Sequence, residues 1–227
     1  MRGVVALWDN GGREEPAGCG GPERRVVPMF KKLAATALGG CLLVAVLCLG
    51  LLPTTALAAG EDAPDTLWVG ETQITGSGYW TTNVNGKLAT GDASNYNVYY
   101  DGSGTLTLNN AMIQGRGNSS IAGPQDYGIY AATTGNQSVS LTINLIGNNT
   151  VKGYSGIYVG ASGGDSTLVI QSDGNNPKGS LEAIGSGWNG ITISSESGNA
   201  SLTINNASVV ANSEKQGSHG VSIKSLE

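Results

Sequence analysis

Four aromatic residues of this 227-residue chain lie at regular distances from glycines, and they are the side chains best suited to binding chemistry. Tyr130 and Tyr158 each follow a glycine by two residues in Gly-Ile-Tyr segments, while Tyr154 and Trp188 each precede a glycine by two. If the Gly-Ile-Tyr segments are neighbouring strands, about 4.8 Å apart, Tyr130 lies over Tyr158 with Tyr154 and Trp188 at the border. Such rings form a good platform for a sugar, so we predict a carbohydrate-binding surface. The alternative is that the tyrosines stack on one another and only stabilise the sheet.

Two acidic turns are weak candidates for a metal site. Asp165 lies in Gly-Gly-Asp-Ser and Asp173 in Ser-Asp-Gly-Asn. Calcium takes six to eight oxygen ligands, and turns rich in Asp, Asn and Gly can supply them. The two turns lie at opposite ends of one predicted strand, however, and the turn-forming chemistry of aspartate explains both. We therefore predict no required cofactor and leave calcium as the metal to test.

The run Gly-Ser-His219-Gly resembles the histidine motif of polygalacturonase-like hydrolases, which also need carboxylates on neighbouring strands. Asp173 and Glu196 lie upstream, but they do not form the adjacent pair of aspartates of those enzymes. A lyase would need Arg or Lys among clustered acids, whereas Arg116 and Lys152 stand alone in the sequence. We therefore predict no catalytic residues, with a polysaccharide hydrolase or lyase as the alternative.

The elements that position these residues follow from a repeat of about 30 residues, in which two kinds of segment alternate. Segments of the first kind, such as Ser-Leu-Thr-Ile-Asn, begin at Thr105, Ser140, Thr167 and Ser201. Segments of the second kind begin at Gly128, Gly156, Gly190 and Gly220. Between them lie short apolar pieces at Ile113, Val151, Leu181 to Ala183, and Val209 to Ala211. Each repeat therefore predicts three short strands.

Period-two alternation of apolar and polar residues, with Asn and Gly at the corners, is typical of stacked coils. We predict an all-β protein, a right-handed parallel β-helix of about four coils over residues 105–227. A β-sandwich would not show two motifs returning in fixed order. The predicted inward residues are Leu106, Leu108, Ile129, Leu141, Ile143, Ile157, Val159, Leu168, Ile170, Ile191, Ile193, Leu202, Ile204, Val221 and Ile223.

Residues 66–104 do not fit the repeat. They contain strand-like pieces at Leu67–Ile74, Tyr79–Thr82 and Tyr96–Tyr100. Since the first exposed face of stacked repeats must be covered, we predict an N-terminal β cap, with a separate small binding domain as the alternative. The chain stops in the middle of a coil, which predicts either further coils or another element at that end.

The N-terminal region predicts export. Residues 1–28 carry no apolar period and are expected to be disordered, or to precede a true start at Met29. Residues 29–58 combine a basic start, a charge-free run and a small-x-small site, the pattern of a secretory signal peptide. The alternative is a membrane anchor formed by 33–52, because about 20 apolar residues can cross a bilayer. All three cysteines, Cys19, Cys41 and Cys48, precede the predicted cleavage, so no disulfide-linked partner is expected.

The charge balance narrows the class of partner. The chain has 17 acidic and 12 basic residues, a formal net charge of −5, and Arg116 is the only arginine after residue 58. Because phosphate binding needs clustered Lys and Arg, we expect no nucleic-acid partner. A membrane would be contacted only through an uncleaved signal segment.

The leader Leu67-Trp68-Val69-Gly70, followed by Tyr96-Asn97-Val98-Tyr99 and Thr105-Leu106-Thr107-Leu108-Asn109, resembles carbohydrate-binding, pectate-lyase-like β-helix proteins of Gram-positive bacteria. The resemblance covers most of residues 66–227 and rests on structural repeat motifs rather than on catalytic ones. It implies secretion or a cell-surface location, contact with a polysaccharide or a host or bacterial surface glycan, and calcium in some members. The C-terminal wall-sorting motif of longer members is not found in this sequence. We expect a non-catalytic glycan-binding module, and the alternative is a structural stalk or adhesin without sugar binding.

Overall fold

The computed structural model describes residues 62–117, 122–172 and 178–225. The predicted extension 1–28, the predicted signal peptide 29–58 and Asp173 lie outside the described residues. Within these ranges the protein is all-β with parallel sheets, and its one helical segment is a 3₁₀ turn, Pro124–Asp126. No helix in this part of the chain is long and apolar enough to span a membrane.

Five short strands come first. They are β1 (Thr66–Val69), β2 (Thr72–Ile74), β3 (Gly78–Thr82), β4 (Leu88–Thr90) and β5 (Val98–Tyr100). The sequence predicted one strand over Leu67–Ile74, and this was wrong. Gly70 has a φ of 56°, a conformation that glycine adopts without strain, and it turns the chain back so that β1 and β2 pair antiparallel. The sequence also missed β4, which pairs antiparallel with β3.

The next twelve strands fall into three sheets. Sheet 1 contains β8 (Ile129–Thr133), β11 (Ile157–Ala161), β14 (Ile191–Ser195) and β17 (Val221–Ser225). Sheet 2 contains β6 (Thr105–Asn109), β9 (Val139–Ile146), β12 (Ser166–Gln171) and β15 (Ala200–Asn205). Sheet 3 contains β7 (Met112–Gln114), β10 (Asn148–Gly153), β13 (Ser180–Gly185) and β16 (Ser208–Ser213). Within each group, successive strands pair in parallel.

The five N-terminal strands extend two of these sheets. β1 pairs antiparallel with β8 at the edge of sheet 1, and β5 pairs antiparallel with β6 at the edge of sheet 2. Gly86 accepts a backbone hydrogen bond from Gln114 of β7 at 3.1 Å, so the same region also reaches the first strand of sheet 3. The segment predicted as a cap therefore adds antiparallel strands where the parallel sheets begin.

The core is built from the alternation that the sequence predicted. In sheet 2, Leu168 pairs with Leu141 and Leu202, so leucines stack on leucines across three strands. Eleven of the predicted inward residues are buried, namely Leu106, Leu108, Ile129, Leu141, Ile143, Ile157, Val159, Leu168, Ile170, Ile191 and Ile193. Each fully buried side chain of this size contributes about 1.5–3 kcal/mol relative to an exposed one.

The last strand of each sheet departs from this pattern. Ile204, Val221 and Ile223 were predicted to be buried, but they are 43 to 49% exposed. β15, β16 and β17 each pair with one neighbouring strand in the described part of the chain, and inward residues there are packed from one side. Their pairing register nevertheless continues that of β12, β13 and β14.

Asparagines shape the corner between sheets 2 and 3. Asn110 and Asn206, in two copies of Asn-Asn-Ala, have φ values of 48° and 51°, the left-handed region that asparagine tolerates better than most residues. The same corner also uses a buried side chain, that of Asn149 near the start of β10. Asn149 accepts the Ala111 N–H at 2.8 Å and donates to the Ser180 carbonyl at 3.1 Å, so one amide links the residue before β7 to the starts of β10 and β13.

Candidate functional site

The predicted aromatic residues lie on the outward face of sheet 1. The pairing register places Tyr130 beside Tyr158, then Thr192 and Ser222, in one row across β8, β11, β14 and β17. Trp68 of β1 extends the row at the other side of Tyr130. The sequence assigned Trp68 to the cap and did not predict this position, because it depends on antiparallel pairing between segments about 60 residues apart.

Tyr130 and Tyr158 stack face to face. Their ring centroids are 5.0 Å apart and their planes differ by 9°. Each tyrosine therefore covers one face of the other. The row continues beyond Tyr158 to Thr192, whose side chain has no ring, so the stack ends at Tyr158, which lines a groove together with Thr192.

Tyr127 is the centre of this cluster, and the sequence did not single it out. Its ring centroid lies 5.2 Å from that of Tyr130, 5.3 Å from that of Tyr158 and 5.8 Å from that of Tyr154. The contact with Tyr154 is perpendicular, with an interplanar angle of 89°. The sequence feature that could have indicated Tyr127 is its position directly before Gly128, in the turn that leads to Tyr130.

Tyr154 and Trp188 have different roles in the structure. Tyr154 is 9% exposed, whereas Trp188 is 48% exposed, and their ring centroids are 5.9 Å apart. The Trp188 N–H donates to the Tyr154 carbonyl at 2.8 Å, and Ser213 Oγ donates to the Trp188 carbonyl at 2.6 Å. Tyr154 therefore supports Trp188 from behind, and Trp188 is the side chain that a ligand can reach.

Burial makes the phenols of the cluster harder to ionise, because it raises their pKa. It raises the pKa of Tyr127 to about 12, and the neighbouring tyrosines add to this effect. Burial also raises the pKa of Tyr130 and that of Tyr158. All three side chains are neutral at physiological pH, and their hydroxyls keep the ability to donate hydrogen bonds.

A groove of about 220 Å³ opens on the side of Tyr158 that faces β14. Its lining combines three aromatic rings, four serine or threonine hydroxyls and one cation, from Tyr127, Tyr158, Trp188, Ser155, Thr192, Ser194, Ser222 and Lys224. Thr192 Oγ1 lies 3.2 Å from Ser155 Oγ and accepts a hydrogen bond from Asn189 Nδ2 at 3.1 Å. Two of the hydroxyls, those of Thr192 and Ser155, are thus held by each other and by Asn189 in the turn before β14.

Of the two weak metal candidates, only Asp165 lies in the part of the chain that the structure describes. Asp165 Oδ1 accepts the Asn199 N–H at 2.7 Å and a second bond from Asn199 Nδ2 at 3.3 Å, so its carboxylate connects two turns. Asp173 lies outside the described residues. Among the residues that are described, no cluster of three or more His, Cys, Asp or Glu side chains could hold a metal ion.

Two of the residues considered for catalysis, Arg116 and Lys152, form ion pairs with glutamates. Arg116 Nε lies 3.2 Å from Glu71 Oε2, and Lys152 Nζ lies 2.6 Å from Glu214 Oε1. The Glu71 pKa is lowered, chiefly by the hydrogen bond from Arg116. The His219 N–H donates to Asn189 Oδ1 at 2.8 Å, which places His219 in the turn beside Trp188.

A second aromatic cluster lies on the outward face of sheet 2 and was not predicted. Tyr79 and Tyr99 stack with centroids 4.5 Å apart, and Tyr96 contacts Tyr79 edge to face at 5.2 Å. The pairing register continues this row through Thr107 to Asn144. The two aromatic clusters thus belong to different sheets, and the second offers matched control positions for the first.

Comparison of the chain with protein-family models, with curated proteins and with solved structures finds no match.

Proposed function

We propose that residues 105–225 form a right-handed parallel β-helix. The support is the order in which the chain visits its sheets, which is sheet 2, sheet 3 and sheet 1, four times in succession. Each return adds a parallel strand in register with the one before, so the repeat in the sequence becomes a row of equivalent side chains on each face. We expect the five N-terminal strands to cap the first coil.

We further propose that this β-helix is a non-catalytic module that binds polysaccharide or another glycan. The observation that carries the proposal is the groove between Tyr158 and Trp188. One side of Tyr158 is stacked on Tyr130 and the other borders the groove, where Trp188 is about half exposed. A sugar offers apolar C–H faces to such rings and hydroxyls to hydrogen-bonding groups, and this groove presents both kinds of partner.

Binding is favoured over cleavage because three of the described carboxylates are already engaged with other side chains. The carboxylate of Glu214 is paired with Lys152, that of Glu71 with Arg116 and Lys87, and that of Asp165 with Asn199. A glycosidase needs one carboxyl group as acid and a second as base or nucleophile, on either side of the scissile bond. A hydrolase or lyase centred on His219 stays the alternative, and sugar cleavage that His219→Ala abolishes would establish it.

The proposed setting is the cell exterior. The pattern of residues 29–58 and the resemblance to secreted Gram-positive proteins support a secreted or surface-attached protein, with a membrane anchor at 33–52 as the alternative. A host or bacterial surface glycan is the proposed partner. The acidic composition argues against nucleic acid, and the position of all cysteines before residue 58 argues against a disulfide-linked partner.

A glycan-array screen of the purified protein, in calcium and again in chelator, tests this function. We expect binding by the unmodified protein and its loss in Trp188→Ala and Tyr158→Ala. Tyr96→Ala serves as the matched control because it removes a ring from the other aromatic cluster. Loss of binding in chelator would assign a role to calcium. Failure of a folded, β-rich protein to bind any glycan would reject the proposal.

A structural stalk or adhesin without sugar binding is the second candidate. The mutual stacking of Tyr130 and Tyr158, with Tyr127 against both, favours it, because these contacts stabilise the sheet with or without a ligand. In that case the same substitutions lower the melting temperature while the array stays blank.

A further inference from the structure

Trp188 separates two grooves. On one side lies the groove beside Tyr158 described above. On the other lies a groove of about 350 Å³, lined by Trp188 and Ser222 together with the turn residues Asn189, Lys215, Gln216, Gly217, Ser218 and His219. Trp188 and Ser222 are shared, so the two grooves meet at one exposed indole ring.

The second groove has defined walls. Its turn connects β16 to β17, and its near end is held by the Glu214 N–H, which donates to the Gly185 carbonyl at 2.8 Å. The far end of the turn is held by the His219 N–H, which donates to Asn189 Oδ1 at 2.8 Å. Between these ends, the Ser218 N–H donates to the Lys215 carbonyl at 3.2 Å. Gly217 has a φ of 81°, a conformation that glycine adopts more readily than other residues. The turn is therefore tied to the fold at both ends.

The sizes of the grooves set the length of a ligand. Small-molecule sites usually enclose about 300–1,000 Å³, and the groove beside Tyr158, about 220 Å³, is smaller than that. A ligand confined to it would leave much of the Trp188 ring in contact with water. A ligand that crosses Trp188 would cover the ring and reach the hydrogen-bonding groups of both grooves.

We propose that the site takes an oligosaccharide that spans both grooves, with sugar units on either side of Trp188, and that a single sugar fills it incompletely. This inference rests on the glycan-binding function proposed above. It assigns Lys215, Gln216 and His219 to a second sugar subsite, in addition to the subsite formed by Tyr158, Thr192 and Ser194.

Calorimetric titration with oligosaccharides of increasing length tests the inference. The probes are β-1,4-linked glucose and β-1,4-linked N-acetylglucosamine oligomers of one to six units. We expect affinity to rise about tenfold or more from one unit to three in at least one series and then to level off. Trp188→Ala should weaken binding and remove the dependence of affinity on oligomer length. Trp188→Phe keeps a ring at this position and should retain part of that dependence.

Two substitutions separate the subsites. Lys215→Ala and His219→Ala should lower the affinity for the trisaccharide several-fold and leave that for the monosaccharide unchanged. Lys178→Ala, which alters an exposed lysine ahead of β13 in sheet 3, is the matched control and should change neither. In an amide NMR titration, the trisaccharide should shift the signals of Ser218 and His219 as well as those of Thr192 and Ser194.

The outcomes distinguish the two proposals. Equal affinity for one unit and three, or shifts confined to the Tyr158 side, would overturn the two-subsite inference and leave glycan binding intact. Absence of binding by every member of both series would count against both proposals.

Discussion

The ring of Tyr158 lies over Gly160, two residues further along the same strand. A Cβ atom added at Gly160 would stand 2.5 Å from the Tyr158 hydroxyl oxygen and 2.6 Å from a ring carbon. The absence of a side chain at Gly160 therefore permits the orientation in which Tyr158 both stacks on Tyr130 and borders the groove.

This contact predicts that Gly160→Ala displaces the Tyr158 ring and weakens glycan binding about tenfold, equivalent to about 1.4 kcal/mol. Stability should fall only slightly, since a flexible side chain can move at a cost of about 0.5–1.5 kcal/mol. Glycan titration and near-ultraviolet circular dichroism measure the two effects. Ala132→Ser is the matched control, because Ala132 is the outward partner of Gly160 on β8. Unchanged binding and an unchanged spectrum in Gly160→Ala would contradict the prediction.

Within the aromatic cluster, some substitutions should affect mainly stability and others mainly glycan binding. Tyr130→Ala removes a ring stacked on Tyr158 and should lower the free energy of unfolding with a smaller effect on binding. Trp188→Ala removes a half-exposed ring and should weaken glycan binding with a smaller effect on the free energy of unfolding. A double-mutant cycle between Tyr130 and Tyr158, measured by denaturant unfolding, should give a coupling of about 0.5–1.5 kcal/mol. A coupling near zero would mean that the stack contributes nothing to stability.

The buried amide of Asn149 should be a main support of the corner between sheets 2 and 3. Asn149→Ala leaves the Ala111 N–H and the Ser180 carbonyl without their partner, so we expect a loss of about 1–3 kcal/mol in unfolding free energy. Asn148→Ala is the control, because Asn148 is exposed and accepts only a surface bond from Ser180 Oγ. Equal effects of the two substitutions in urea unfolding would show that burial of the amide is unimportant.

High pH should destabilise the cluster through Tyr127. Its pKa is raised to about 12 in the folded protein, above the ordinary value of about 10 in the unfolded chain. The folded state therefore resists ionisation, and this contribution to stability is complete below pH 10 and is lost as the pH rises from about 10 to about 12. Melting temperatures across that interval should fall less steeply in Tyr127→Phe than in the unmodified protein. Identical slopes would show that Tyr127 ionises as freely in the folded state as in the unfolded chain.

Much of the architecture was readable from local patterns. Leu141, Leu168 and Leu202 were expected to face inward in neighbouring strands, and the register pairs all three. The same patterns could not show that Ile204 would be exposed, because burial depends on whether a second strand covers that side. The break at Gly70 was missed for a related reason, since the alternation of residues 67 to 74 is compatible with one strand or with a hairpin.

For the candidate site, the sequence by itself determined that Tyr130 and Tyr158 share a row, because a fixed repeat and period-two alternation place equivalent residues side by side. Only the tertiary structure decided that Tyr127 joins them, that Tyr154 is covered and that Trp188 is exposed between two grooves. Repeats specify where the backbone puts each Cβ atom. The direction of a ring and the face it leaves open depend on side-chain torsions and on neighbours from other turns, such as Gly160 beneath Tyr158.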